Sequence, residues 1–484
     1  MTLPDGFTVR LNRHTRVEDG GHVLIGGSPT RVARLKRGAI EAFEGRELVV
    51  RDAATRALAE HLLATGIGDP VAESLPPIPL SELTVVIPVH DRPAQLARLL
   101  ASVPRDVSRV IVVDDASDRA QAVASVAVEH GAHLIALDRN VGAAAARNAG
   151  LAAVETPFVA FVDSDVVLED GCFEVLLRHF ADPKLAMAAP RVVGLDTERP
   201  NWITRYENAR SSLDLGGDSA SVRPRSPVTW VSSTCLVARA THLGEGFDAS
   251  MRVGEDVDLV WRLVDEGHRV RFEPAATVRH EHRTRLRTWL GRKFFYGTGA
   301  HLLAARHPQD VAPVVLPPWG ALVLALLFVQ KKWSLPAIAL TGVIVAGRIV
   351  KRLGHVRRPW PIAARLTLNG MIAALGQGFA LLLRHWWPVT VAVGLVSKTM
   401  RRAAAIAAIA DVVWELLRLR PKLDPVRFGV ARRLDDIAYG GGVWWGALRG
   451  RSAKALLPAI IRMPKPTRGV GRGAETAAST TPRA

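Results

Sequence analysis

Aspartates gather at the ends of apolar runs in this chain. PFVAFVDSD (157–165) closes on Asp163 and Asp165, one residue apart. RVIVVDDAS (109–117) carries Asp114 and Asp115, and LTVVIPVHDR (83–92) carries Asp91. An apolar run closed by a turn signal reads as a buried strand. Residues two apart on a strand share a face, so Asp163 and Asp165 can point the same way from its carboxyl end, where open α/β sheets hold ligands. Two carboxylates there repel each other unless a cation lies between them. A hard divalent ion, Mg²⁺ or Mn²⁺, suits them and also accepts diphosphate oxygens. An isolated DxD is more often a solvated strand end, but here the pattern recurs along the chain. Further on, Glu255, Asp256 and Asp258 in GEDVDLVWRL fall in the first turn of an amphipathic helix pattern. Acids there serve as caps on dipole grounds. A carboxylate facing a diphosphate is equally placed to take a proton from an acceptor hydroxyl. In RHEHRT, His280 and His282 alternate with Glu281, which sets one imidazole to face a metal as a third ligand. Arg147 on an Ala-rich stretch has two readings, a solvated ion pair or a diphosphate contact. Trp230 likewise either stacks on a sugar or acceptor or fills core.

The elements that must position these residues alternate. Buried strands LTVVIPVH, RVIVVDDAS, HLIALD and PFVAFVDSD are separated by helices over Arg92–Val103, up to Gly131, and from Gly142 to Val154. That alternation predicts a mostly parallel sheet with right-handed crossovers. A helix near Gly171–Phe180 and a strand LAMAAPRVVG follow. Polar residues 194–227 read as a loop over the site. TWVSSTCLVAR is strand-like, and HRVRFEP is a further strand after the acidic helix.

Ahead of this unit, residues 1–70 predict a hairpin of Phe7–Leu11 with His22–Ile25. Helices near Arg31–Phe43 and Ala53–Ala64 flank a short strand Glu47–Val50. The order resembles a winged helix-turn-helix, and more specifically the small domains that bind precursor peptides in ribosomal natural-product pathways. An accessory domain with another partner stays open. Residues 71–82, rich in Pro and Ser, read as a linker.

With 484 residues the chain exceeds one ordinary core. A net charge of +17 points to an anionic partner. The cations thicken beside apolar segments in the second half, which favours a membrane surface over nucleic acid. The sequence has no Cys/His finger, no RNA-binding aromatic signature and no GxxxxGK[ST] loop. Two cysteines exclude a disulfide framework and suit a reducing compartment. MTLPDGFTVRLNRHTR lacks an apolar h-region, which predicts no signal peptide.

Taken together, VVIPVHDR, VVDDAS, NVGAAAARNAG, FVDSD, GFD and GEDVDLVWRL resemble the family 2 glycosyltransferases in order and spacing over about residues 83–283. The resemblance implies the nucleotide-sugar-binding GT-A fold over 83–300. It puts Pro88 and Asp91 with the donor, Asp115 on the uracil and Arg147 by the nucleotide. It makes Asp163 and Asp165 the pair that holds ribose and divalent metal, with His280 a further metal ligand. Asp256 becomes the general base, with Glu255 its neighbour. The reaction implied is inverting transfer from a UDP-sugar. The whole layout, with LPDGF and LIGGSPTR at the start, is similar to mycofactocin glycosyltransferases, which add glucose to a peptide-derived precursor. RTRLRTW lacks the Gln of the processive synthases' Gln-x-x-Arg-Trp, which argues against long-chain polymerisation. A lipid or polysaccharide acceptor, and a non-catalytic binding scaffold, remain as alternatives.

Residues 301–420 form an apolar third. The uncharged stretch 311–329 (VAPVVLPPWGALVLALLFV) is long enough to cross a bilayer. Leu335–Gly347, Leu366–Leu383 and Trp386–Ser397 are further segments. Two spanning hairpins would place Arg348, Lys351, Arg352, Arg357 and Arg358 on the cytoplasmic side with the catalytic domain. Interfacial helices on the inner leaflet, anchored by Trp333, Trp386 and Trp387, are the competing reading. A soluble helical domain is a third. Ala403–Leu419 reads as amphipathic, residues 421–484 as a basic region, and the tail from Arg462 as disordered.

Overall fold

Leu83–Val89 is buried at every position, as a strand covered on both faces must be. In the computed structural model, which describes residues 2–353 and 356–461, it sits inside a nine-stranded sheet. Counting from it, β1 is Leu83–Val89, β2 Arg109–Asp114, β3 His133–Ala136, β4 Phe158–Val162 and β5 Val166–Leu168. β6 is Leu185–Gly194, β7 Ala220–Val222, β8 Cys235–Arg239 and β9 Arg269–His280. The spatial order is β3-β2-β1-β4-β8-β6-β9-β5, with β7 beside β9. The half that bears the aspartates, β3-β2-β1-β4, is parallel. The other half is not. β8 runs antiparallel to both β4 and β6, so the sheet is mixed rather than mostly parallel. β8 enters from an irregular excursion and not from a crossover helix, so the rule that makes crossovers parallel does not bind it.

Alternate residues of β1 split the core into two layers. Val85 and Ile87 pack with Leu96 of α1 (Pro93–Leu100), Val123 of α2 (Ala120–Glu129) and Phe173 of α4 (Cys172–Arg178). Val86 packs with Ala144 and Ala146 of α3 (Ala143–Leu151) and Leu259 of α6 (Glu255–Asp265). The expected loop over 194–227 contains a helix, α5 (Trp202–Arg210), and strand β7. Asn201 caps α5 by accepting from the N–H groups of Ile203 and Thr204. Strand structure in TWVSSTCLVAR is confined to Cys235–Arg239.

The N-terminal unit pairs differently from the predicted hairpin. Thr8–Leu11 lies between Glu47–Val49 and Gly68–Pro70. Val23–Gly26 pairs instead with Arg16–Glu18 and Arg31–Arg34. The predicted helix over 31–43 divides into that last strand and a short helix, Arg37–Glu41. The longer helix, Ala53–Thr65, holds as expected, with a capping box between Asp52 and Thr55. Asp69 pairs with Arg271 and Glu60 with Arg269, both on β9, which fixes this unit to the nine-stranded sheet.

α7 (Leu286–Arg306) crosses the predicted boundary at 300 and packs against α13 (Pro425–Arg449). Two glycines allow the contact. A Cβ on Gly297 would stand 2.1 Å from the Tyr439 carbonyl oxygen, and one on Gly442 would stand 1.9 Å from that of Phe294. Between α7 and α13 run α8 (Pro318–Val329), α9 (Ser334–Arg352), α10 (Pro359–Ala380), α11 (Trp387–Val396) and α12 (Lys398–Leu419). The expected long span over 311–329 is only the 12-residue α8, preceded by a two-residue strand at Val315–Leu316. Pro317 and Pro318 stop helix from continuing backwards, since proline lacks the N–H and clashes with the preceding turn. The predicted tail from Arg462 lies outside the described residues.

Candidate active site

Asp115 follows β2 and is almost fully buried. Its carboxylate accepts the backbone N–H groups of Val141 at 2.7 Å and Gly142 at 2.9 Å. It thereby fixes the turn that starts α3. Gly142 has φ +93° there, a conformation that favours glycine. The next turn of α3 carries Arg147, which is 2% exposed. Its guanidinium donates to Asp163 Oδ1 at 2.6 Å and to Glu255 Oε1 at 3.1 Å. The Phe247 ring lies 5.3 Å from it. Burial alone would lower the Arg147 pKa, but Asp163 and Glu255 outweigh it and raise it. Neighbouring Asn148 exchanges hydrogen bonds with the Phe247 backbone at 2.7 and 2.9 Å. One helix therefore ties the end of β4 to the start of α6.

α6 begins at Gly254, whose φ is +81°. Its three acids divide in role. Glu255 faces Arg147. Asp258 turns inward, 1% exposed, where Arg262 donates to it at 2.9 Å and His307 lies at 3.0 Å. Asp256 accepts the backbone N–H groups of Val257 at 2.8 Å and Ser233 at 3.2 Å. Its pKa is nonetheless pushed up to about 7, by burial and by the adjacent Glu255 carboxylate. A carboxylate with that pKa is poised to exchange a proton near neutrality.

On the other side of the Asp163–Asp165 turn, Arg92 pairs with Asp165, and His280 Nε2 lies 3.6 Å from the same carboxylate. Burial opposes ionisation of Asp165. His280, Arg92 and Arg283 overcome it and hold the pKa below the usual carboxylate value. The His280 Nδ1 is buried without a hydrogen-bond partner. No group of three or more His, Cys, Asp or Glu side chains able to hold a metal is assembled among the described residues. The expected set of Asp163, Asp165 and His280 is split: Asp165 and His280 stand together, while Asp163 is engaged by Arg147. His282 is buried separately, its pKa lowered to about 4 by burial and by His280 and Lys293.

The remaining predicted residues frame this centre. Pro88 is buried within β1. Asp91, at φ +56°, accepts the Arg119 N–H at 3.0 Å. Trp230 is half-buried, on the segment whose Ser233 N–H reaches Asp256 and whose Thr229 carbonyl accepts the Trp261 indole N–H at 2.8 Å. Arg92 is a site residue that its sequence context does not mark. It sits just before α1, and the pairing with Asp165 crosses from β1 to β4, so no local pattern signals it.

Two carboxylate-bearing turns thus meet across the buried Arg147, with Arg92 and His280 beside Asp165. A family model described as glycosyl transferase family 2 matches residues 84–233. The chain is similar to the pre-mycofactocin glycosyltransferase of Mycobacterium tuberculosis, 40% identical over 474 residues, which cover 95% of this chain and 98% of that protein. It also resembles the succinoglycan biosynthesis protein ExoO of Rhizobium meliloti, 30% identical over 34% of this chain and 50% of the relative. Among solved structures, the mannosyltransferase PcManGT from Pyrobaculum calidifontis, in complex with GDP-Man and Mn²⁺, is 17% identical. It covers 70% of this chain and 88% of its own at a TM-score of 0.36, too loose a likeness to carry residue roles across.

Proposed function

Because this chain belongs to glycosyl transferase family 2, we propose that it is an inverting glucosyltransferase acting on a small peptide-derived acceptor. The donor is UDP-glucose. The acceptor is of the kind that the name of its Mycobacterium tuberculosis relative indicates, a mycofactocin precursor. The observation that carries the reading is the buried Arg147 bridge from Asp163 to Glu255. It ties the start of α6, where Asp256 follows Glu255, to the end of β4.

The acceptor hydroxyl oxygen attacks the anomeric carbon, the bond from that carbon to the diphosphate oxygen breaks, and UDP departs with the electron pair. The hydroxyl proton passes to Asp256, whose pKa of about 7 leaves it able to accept at neutral pH and release afterwards. Backbone N–H bonds from Val257 and Ser233 fix that carboxylate in place. Asp115, Pro88 and Asp91 line the nucleotide end and Trp230 the acceptor side. Arg92 lies beside Asp165, where it can meet the diphosphate.

Asp165 and His280, whose Nδ1 is buried without a partner, would hold a divalent cation, Mn²⁺ or Mg²⁺, through one oxygen and one imidazole donor. Such an ion, when bound, offsets charge on the departing diphosphate.

The C-terminal helices give the enzyme a membrane association. Two of them, Ser334–Arg352 and Pro359–His385, are long and apolar enough to cross a bilayer, and the net charge of +17 suits an anionic inner leaflet on the cytoplasmic side. That same apolar face favours a second reading, transfer to a lipid or polysaccharide acceptor. Incubation with a panel of UDP-sugars and either the peptide-derived acceptor or membrane lipids separates the two. Glucose on the peptide supports the first, and label in an organic extract supports the second.

A further inference from the structure

The run Pro359–His385 has 27 residues, about 40 Å at 1.5 Å per residue, more than the ~30 Å of a hydrocarbon core. If it crossed a bilayer, its two ends would lie on opposite sides. Both ends instead touch the same globular body. At the leading end Ala363, Ile362 and Leu366 pack with Val23 and Ile25 of the N-terminal unit, which β9 holds through Arg269 and Arg271. At the trailing end Arg384 pairs with Asp435 at 3.4 Å and Asp436 at 3.1 Å on α13. A Cβ on Gly440 of that helix would stand only 1.8 Å from the Arg384 carbonyl oxygen. Midway, Gln377 accepts the Val315 N–H at 2.7 Å, and that strand pairs with Ala459–Ile460. The helix is attached at three points along its length, so it runs along the body.

Its neighbours follow the same course. Ala346, Ile349 and Val350 of α9 pack with Ala363, and Gly342 faces Met371. Trp319 and Leu324 of α8 lie over Gly370 and Gly378. The outer face of this layer is apolar: Leu335, Leu340, Val343 and Leu368 are exposed, as are Leu395 and Val396 on α11, the last at 87%. Exposed cations stand at both ends of the layer, Lys331, Lys332 and Lys398 at one and Arg348, Arg352 and Arg358 at the other. Cations at both ends of an apolar face complement anionic headgroups on a single leaflet.

We propose that α8–α12 form a monotopic platform that lies in one anionic leaflet, with no described helix crossing the bilayer. The proposal rests on the membrane association above and fixes its geometry. The test is labelling of single cysteines by a membrane-impermeant maleimide, in inside-out vesicles and in intact cells. Native Cys172 and Cys235 are 3% and 0% exposed, so background is low. Lys332→Cys and Arg358→Cys probe the two ends of the platform, and Glu129→Cys on α2 marks the catalytic side. In the membrane fraction all three should label equally in inside-out vesicles and none in intact cells. Lys332→Cys labelling only from the face opposite Arg358→Cys would overturn the proposal and leave membrane association standing. Wild-type protein that stays in the soluble fraction, with this face covered by a second copy, would overturn both. A variant that fails to fold is replaced by Lys331→Cys or Arg357→Cys, which report the same two ends.

Discussion

The guanidinium of Arg147 reaches Asp163 at 2.6 Å with almost no exposure to solvent, so the end of β4 is locked to a helix that also holds Glu255. Removing one partner of a buried ion pair costs about 3–5 kcal/mol, because the other charge is left uncompensated. Arg147→Ala strands two carboxylates and should lower the midpoint of thermal unfolding as well as abolish turnover. Arg147→Lys keeps the charge but cannot serve both carboxylates with a planar fork, so it should fold and remain strongly impaired. Calorimetry beside a UDP-release assay reads both effects. Unchanged turnover in Arg147→Lys would show the bridge to be structural only.

As the proposed base, Asp256 should set the pH dependence. Its folded pKa is raised from 3.8 to about 7, and a base must be ionised to act, so kcat/KM should rise with pH along an acid limb near 7. The stability contribution has the opposite sense. A carboxyl raised in the folded state favours folding below its unfolded value, and that contribution is lost as pH climbs to about 7. Asp256→Asn should therefore melt higher than wild type above neutrality while losing about 10²–10⁴ in rate. A lower melting point there would mean that Asp256 is ionised and satisfied when folded.

In the proposed function Asp165 and His280 would hold a divalent cation. Chelation should suppress UDP release and added Mn²⁺ or Mg²⁺ restore it. His280→Ala should need more metal, by roughly the 10–100-fold that disturbing a ligand's surroundings already costs. A metal titration of initial rate gives the answer. An unchanged midpoint would remove His280 from the site.

Lys293 of α7 is buried between Glu207 of α5 at 2.9 Å and Asp435 of α13 at 3.8 Å. Glu207 also accepts the Trp289 indole N–H at 2.8 Å. Lys293→Met leaves Glu207 without its cation, while Asp435 keeps Arg384, and should destabilise by about 3–5 kcal/mol, seen as an earlier denaturant midpoint. If Lys293→Met denatures with wild type, the pair is not a structural tie.

Much of the catalytic centre was legible because its signals are local. FVDSD, VVDDAS and GEDVDLVWRL each carry a strand or helix end together with its acids, and the structure brings Asp163, Arg147, Glu255 and Asp256 together. What was not legible depends on distant partners. Arg92 finds Asp165 across two strands, and β8 runs antiparallel because an irregular excursion feeds it. In the N-terminal unit, apolar runs Thr8–Leu11 and Val23–Gly26 gave no cue that each pairs elsewhere. In 311–329 the apolar count outweighed Pro317 and Pro318, although prolines set the helix start. Orientation of Asp258 into the core, against His307 and Arg262, separates it from its neighbours only in three dimensions.

The most direct measurement compares donor binding and turnover in Asp256→Asn with UDP-glucose, divalent metal and the peptide-derived acceptor. The expected result is normal UDP-glucose affinity, glucosylated peptide formed about 10²–10⁴ times more slowly, and a wild-type control that transfers glucose with inversion at the anomeric carbon. Full turnover in Asp256→Asn with normal donor binding would contradict it.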